Sequence, residues 1–235
     1  MFLWPLAASV AASFTRDGAL TLANYETVRR LYAVDVAYTV GVAAAGTALT
    51  FAVAIPACGW LRARAFGPVE FLLKVPLFVP FVVVGHALRV FMSPYVPGFS
   101  SSWGGIAVAL AWKHLGLAVL LLLGAFRSVD ESYLEAARNF GAGTGRVTRD
   151  VLVPMAASSL AVSTILIFSS MLASFSIPLM MGRGGGPQML MIDVYYRFGQ
   201  HGDFATASAL GVVAYLLAMG AALVYVRRLT SGRHG

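Results

Sequence analysis

A few ionisable side chains stand inside long apolar stretches of this 235-residue chain: His86, Arg89, Lys113 and His114, with Asp35 at the margin of another. Ionisable groups surrounded by hydrocarbon are expensive and mark a solute or ion path by default. His86, Lys113 and His114 are therefore the candidates for a translocation path. Arg89 has a competing role, snorkelling its guanidinium to an interface. Lys113 has one too, pairing with Asp35 or with an acid of another subunit. No catalytic constellation accompanies these groups. His201 falls in a loop and His234 in the tail, apart from the other two histidines. Cys58 is the single cysteine, so no disulfide within the chain and no cysteine-based metal site can form. A phosphate-binding loop needs Gly-Lys-Ser/Thr, and the only lysines, Lys74 and Lys113, do not follow glycine. The run Gly141-Ala142-Gly143-Thr144-Gly145 lacks that lysine and a preceding strand, and reads as a hinge.

The elements that must carry these groups follow from composition. Hydrophobic residues make up 59% of the chain and charged ones 11%, against about 25% charged in soluble domains. There is too little polar surface to cover a water-facing globule, and disorder requires the opposite composition. The chain is expected to be an all-α integral membrane protein. A span needs about 20 apolar residues, and five stretches supply them: 36–61, 69–92, 105–126, 154–181 and 204–226. No strand alternation suggests a barrel. Residues 1–14 are apolar but short. They read as a partial first helix whose beginning is missing, the alternative being a half-inserted segment. The expected layout is one transmembrane domain over 1–235. It comprises this partial helix, an outer interfacial segment over 15–35, a five-span core over 36–226 and a cytoplasmic tail over 227–235. Within the outer segment, 25–32 should form a short amphipathic helix of its own.

The net charge of +7 records topology here rather than nucleic-acid binding. Basic residues concentrate on the cytoplasmic side of membrane proteins. One orientation places ten inside: Arg62, Arg64, Lys74, Arg127, Arg138, Arg146, Arg149, Arg227, Arg228 and Arg233. It leaves five outside: Arg16, Arg29, Arg30, Arg183 and Arg197. The C-terminus and the 127–153 loop are then cytoplasmic.

That loop has the most ordered pattern in the chain. Ser128 and Glu131 have capping-box spacing, predicting a helix over 129–140. Gly141 is a natural left-handed C′ residue. Thr144 can cap a second short helix on which Val147 and Val151 share a face, and Pro154 suits the first turn of the next span. Ala136 and Ala137 leave one side of the first helix low in relief, open to close approach by another protein.

Glu135-Ala136-Ala137, then Gly141, then Val151-Leu152-Val153-Pro154 resembles the EAA loop of the permease subunits of bacterial binding-protein-dependent ABC importers. The family usually has Ile and Leu where Val151 and Val153 stand. A second stretch supports the likeness: Phe175-Ser176-Ile177-Pro178-Leu179, Gly182, then Asp203-Phe204-Ala205-Thr206-Ala207-Ser208-Ala209 is similar to the end of the family's fifth span and the start of its sixth. The wording is closest to the subgroup serving polyamines, ferric iron and thiamine. The departure is at the N-terminus, where the family's first span is fuller.

The resemblance implies a MetI-like helical bundle with a cytoplasmic coupling loop between spans 4 and 5. Leu134, Ala136, Ala137 and Phe140 would supply apolar contact to a separate ATPase. Glu135 and Arg138 would supply polar anchoring, and Gly141, Val151 and Pro154 would set the loop's shape. The chain would bind no cofactor itself, ATP-Mg being held by the ATPase. Its partners would be two ATPase subunits, a second permease subunit, an extracytoplasmic solute-binding protein and the lipid of a bacterial inner membrane, with no nucleic acid. The solute would be small and polar: a polyamine, an iron chelate or thiamine. The rival readings are a stand-alone channel or secondary carrier, and a membrane-embedded enzyme.

Overall fold

The computed structural model describes residues 3–16, 18–64, 66–182 and 185–231. Arg183, Arg233 and His234, named above, lie outside them. Helix α1 (Leu3–Ser13) leads through a two-residue hairpin, β1 (Thr15–Arg16) against β2 (Ala19–Leu20), into α2 (Ala23–Arg64). The separate amphipathic helix expected over 25–32 is instead the start of α2. No glycine or proline interrupts the chain there, and Glu26 holds Arg29 and Arg30 one turn on, pairs that support a helix. At ~1.5 Å per residue α2 is about 63 Å long, twice the ~30 Å of a bilayer's hydrocarbon core.

The stretch 69–92, expected as one span, is two helices, α3 (Gly67–Phe78) and α4 (Phe81–Met92), bent by 104°. Pro80 is the cause. The residue before proline avoids the helical region, and Val79 is extended at φ −76°, ψ 127°. Helix α5 (Trp103–Arg127) follows, with Ser102 Oγ accepting from the Gly105 N–H at 3.2 Å as its N-cap.

After α5 come α6 (Glu131–Asn139), α7 (Thr144–Val147), a π turn (Thr148–Leu152) and α8 (Val153–Met155). An 83° bend separates the helical segment Thr144–Met155 from α9 (Ala157–Leu172). The stretch 154–181 is therefore not one continuous helix either. Pro154 lies in α8, ahead of the bend, and α9 gives way to a separate α10 (Ser176–Met181). Pro178 sits in the first turn of α10, where its missing N–H has no helical partner to lose. The chain closes with α11 (Leu190–Gly199) and α12 (Phe204–Ser231).

Helix α5 is the axis of the bundle. Its Leu110, Val119, Leu122 and Phe126 have no exposed surface. Ala43, Ala54 and Cys58 of α2 are equally buried. Thr50 Oγ1 reaches the Ala111 carbonyl at 3.4 Å and Cys58 Sγ the Val119 carbonyl at 3.8 Å. Small residues at such seams let backbones approach, which holds helices together where lipid removes the hydrophobic drive between them. The outer faces are apolar: Phe71, Leu72, Phe78, Val90 and Phe91 are more than half exposed. Among the described residues two helices, α2 and α5, are each long and apolar enough to cross a membrane, and two bent pairs qualify as pairs.

Candidate functional site

The loop from 128 to 156 is a folded unit rooted in the bundle. Asp130, not Ser128, caps α6: its Oδ1 accepts from the Ser132 N–H at 2.9 Å. Ser128 Oγ instead donates to the Ala125 carbonyl, finishing α5. The Ser132 backbone and side chain hold the Asp130 carboxyl below its usual range. The cap therefore holds through neutral pH and is released as pH falls through that lowered value. The second cap also lies one residue earlier than expected, at Gly143, with Thr144 already helical.

The end of α6 is a complete Schellman turn. The Gly141 N–H donates to the Arg138 carbonyl at 2.8 Å and the Ala142 N–H to the Ala137 carbonyl at 3.0 Å. Gly141 has φ +80°. This turn projects Phe140 into the open, 92% exposed. Glu135, Ala136, Arg138 and Asn139 are also exposed, and Ala137 is half-buried. Leu134 does not belong to that face. At 1% exposure it points into the bundle with Val147 and Leu152, because α6 is amphipathic and its single large aliphatic residue turns to the core. Val151 is half-buried and Pro154 exposed.

Two features of this seat have no sequence pattern of their own. Gly59 of α2 lies so close to the π turn that a Cβ there would stand 2.0 Å from Thr148 Oγ1. Arg62, near the end of α2, donates to the Phe126 carbonyl at 3.0 Å and the Val129 carbonyl at 3.2 Å. It also pairs with Glu131 at 2.6 Å.

The intramembrane candidates separate. His86 is exposed on α4. Lys113 is 5% exposed, and its ammonium donates to the carbonyls of Pro76, Leu77 and Val79 at 2.8, 3.1 and 2.6 Å. An ammonium has three donors, and all three are used. The charge closes the C-terminus of α3 at the break before α4, where a cation also complements the helix dipole. The Phe81 ring lies 4.6 Å away. The pairing of Lys113 with Asp35 does not occur. Asp35 Oδ1 accepts from the Gln188 N–H at 2.8 Å. Next to Lys113, His114 joins the Leu110 carbonyl at 2.8 Å through Nδ1 and Ser170 Oγ at 2.9 Å through Nε2, tying α5 to α9. Arg89 reaches the Met180 carbonyl at 3.4 Å, at the end of α10.

A polar cleft of about 380 Å³ opens at the opposite end from the loop, lined in part by Tyr32, Asp35, Asp193, Tyr196 and Arg197. Arg197 bonds the Tyr32 hydroxyl and lies 3.5 Å from Asp203. Thr39 Oγ1 accepts from the Leu190 N–H at 2.8 Å, so Asp35 and Thr39 together cap the start of α11.

Residues 46–231 match the sequence profile of the family described as binding-protein-dependent transport system inner membrane component. The molybdenum transport system permease protein of Escherichia coli (strain K12) is 28% identical over 195 residues, covering 75% of this chain and 85% of that protein. A ferric transport system permease protein of Haemophilus influenzae is 32% identical over 154 residues, 60% of this chain and 24% of that longer protein. In fold, the chain is similar to a chain of the inward-facing MetNI methionine ABC transporter, with a TM-score of 0.71 at 19% identity, covering 88% of this chain and 98% of the other.

Proposed function

The chain belongs to the family of binding-protein-dependent transport system inner membrane components, the permease subunits of ABC importers, and from that membership we propose that its 128–154 loop docks a separate ATPase. It is a multi-pass component of the inner membrane and a transport subunit, not an enzyme. In this reading the five spans run through α2, the bent α3–α4 pair, α5, α9 with α10, and α12, and α1, at 11 residues, is a partial first helix too short to cross on its own. The loop and the C-terminus lie in the cytoplasm, on the side given ten basic residues against five. The working unit is two permease chains, two ATPase subunits holding ATP-Mg and an extracytoplasmic binding protein. The solute is small and polar, in the range of the molybdenum and ferric relatives.

The observation that carries the docking reading is Phe140. An aromatic ring 92% exposed on a rigid turn, flanked by exposed Ala136 and half-buried Ala137, is the apolar anchor that helix-in-groove recognition needs. Aromatic anchors carry much of the energy of such contacts. ATP-driven closure of two ATPase subunits would move the loop as a lever and rock the bundle between inward and outward access.

The turn at Gly141 tests this. A Cβ there meets nothing within 4 Å, but φ is +80°, so the cost of Gly141→Val is backbone strain of about 1–2 kcal/mol. Gly141→Asn, which tolerates that conformation, should be milder. Gly141→Val and the charge reversal Glu135→Lys are expected to lower ATPase co-purification and ATP-driven uptake while membrane insertion persists. Wild-type uptake in both would reject the docking loop.

A further inference from the structure

We infer that Arg62 is the positioning residue through which movement of the docking loop reaches the membrane bundle, with α2 as the rod that carries it. The inference rests on the docking-loop reading above. The Arg62 side chain is 17% exposed and joins three elements. From the inner end of α2 it closes the end of α5 through the Phe126 and Val129 carbonyls. It holds Glu131, the first residue of α6, at 2.6 Å. The other Glu131 oxygen takes Arg138 at 3.0 Å, so the clamp extends along α6 to the turn that projects Phe140. A guanidinium presents its donors in a rigid planar fork. Displacement of α6 cannot be absorbed by rotating that head group, as it could with an ammonium, and must pull on α2.

Helix α2 then runs unbroken to the outer end of the molecule. There Asp35 and Thr39 accept the Gln188 and Leu190 N–H groups at the start of α11. One continuous helix thus connects the loop at one end with the wall of the polar cleft at the other. Beside this link, Leu134 and the Gly59–Thr148 contact supply packing that seats the loop against the bundle.

The test is solute imported per ATP hydrolysed, measured on the complete complex in proteoliposomes. Arg62→Met should lower this ratio about tenfold, within the usual range of coupling between sites, with ATPase subunits still co-purifying in wild-type proportion. Glu131→Ala leaves the bonds of Arg62 to α5 in place and removes its link to α6 together with the Glu131–Arg138 pair. It should lower the ratio in the same direction. The double variant should be no worse than Arg62→Met, because residues sharing one interaction are not additive. Arg62→Lys should recover only part. A wild-type ratio in Arg62→Met or in Glu131→Ala would overturn the inference. If Arg62→Met yields no complex, Glu131→Ala decides alone. Failure of the docking-loop reading would look different: Gly141→Val would keep both its ATPase partner and its uptake.

Discussion

Lys113→Met is expected to collapse the yield of folded protein rather than to slow transport in a normal amount of it. The substitution keeps side-chain length but strips the α3 terminus of its three donors. Each buried carbonyl left without a partner costs about 1–3 kcal/mol, and no water is at hand within a bilayer to replace the bond. Three such losses together would consume much of the ~5–15 kcal/mol by which a native domain is stable. The bend between α3 and α4 should then lose its fixed geometry. Size-exclusion profile and thermal stability in mild detergent read this directly. Asp35→Asn should not rescue the variant, because Asp35 is engaged with the Gln188 N–H. Normal yield with reduced uptake would instead return Lys113 to the translocation path.

Gly59→Ala is expected to be nearly as damaging, through a different mechanism. The added methyl would lie 2.0 Å from Thr148 Oγ1, 2.6 Å from its Cγ2 and 2.9 Å from its Cβ. Thr148 is buried and its hydroxyl already donates to the Thr144 carbonyl at 2.8 Å, so it cannot swing away cheaply. Overpacking of this kind costs about 1–3 kcal/mol, and here the segment that must yield is the π turn that seats the docking loop. ATP-driven uptake should be lost and ATPase co-purification reduced. Thr148→Ala removes the two nearest atoms and should restore part of both. Gly41→Ala is the control: it lies on the same helix with nothing within 4 Å of the added carbon, and should be neutral or slightly stabilising, since alanine favours helix over glycine. Equal behaviour of Gly59→Ala and Gly41→Ala would contradict the close seam.

What could be read from the sequence depended on how local the physics is. The left-handed turn at Gly141 was legible, because a Schellman turn depends on a few neighbouring residues. The cap of α6 was misplaced by two positions, because Ser128 and Asp130 both suit the role, and only the Ala125 carbonyl's claim on Ser128 decides between them. Hydropathy does not reveal the break within 69–92, since averaging over a window does not register the conformational restriction that Pro80 places on Val79. The role of Lys113 was hidden because its partners are backbone carbonyls 34 to 37 residues away, and a carbonyl leaves no mark in the residue pattern. In the sequence Arg62 is one more basic residue on the cytoplasmic side. Its clamp needs α2, α5 and α6 to meet, which no spacing rule encodes.

The central claim is that the face around Phe140 meets a cytoplasmic ATPase, and one cross-linking measurement tests it most directly. Cys58, the sole cysteine, is buried, so Phe140→Cys provides a single accessible thiol in the chain. Labelled with a photo-activated reagent in the assembled complex, it should give an adduct with the ATPase subunit, whereas His201→Cys, in the exposed segment after α11, should give one with the extracytoplasmic binding protein. An adduct between Phe140→Cys and the binding protein, or no ATPase adduct in a complex that still drives uptake, would contradict the account.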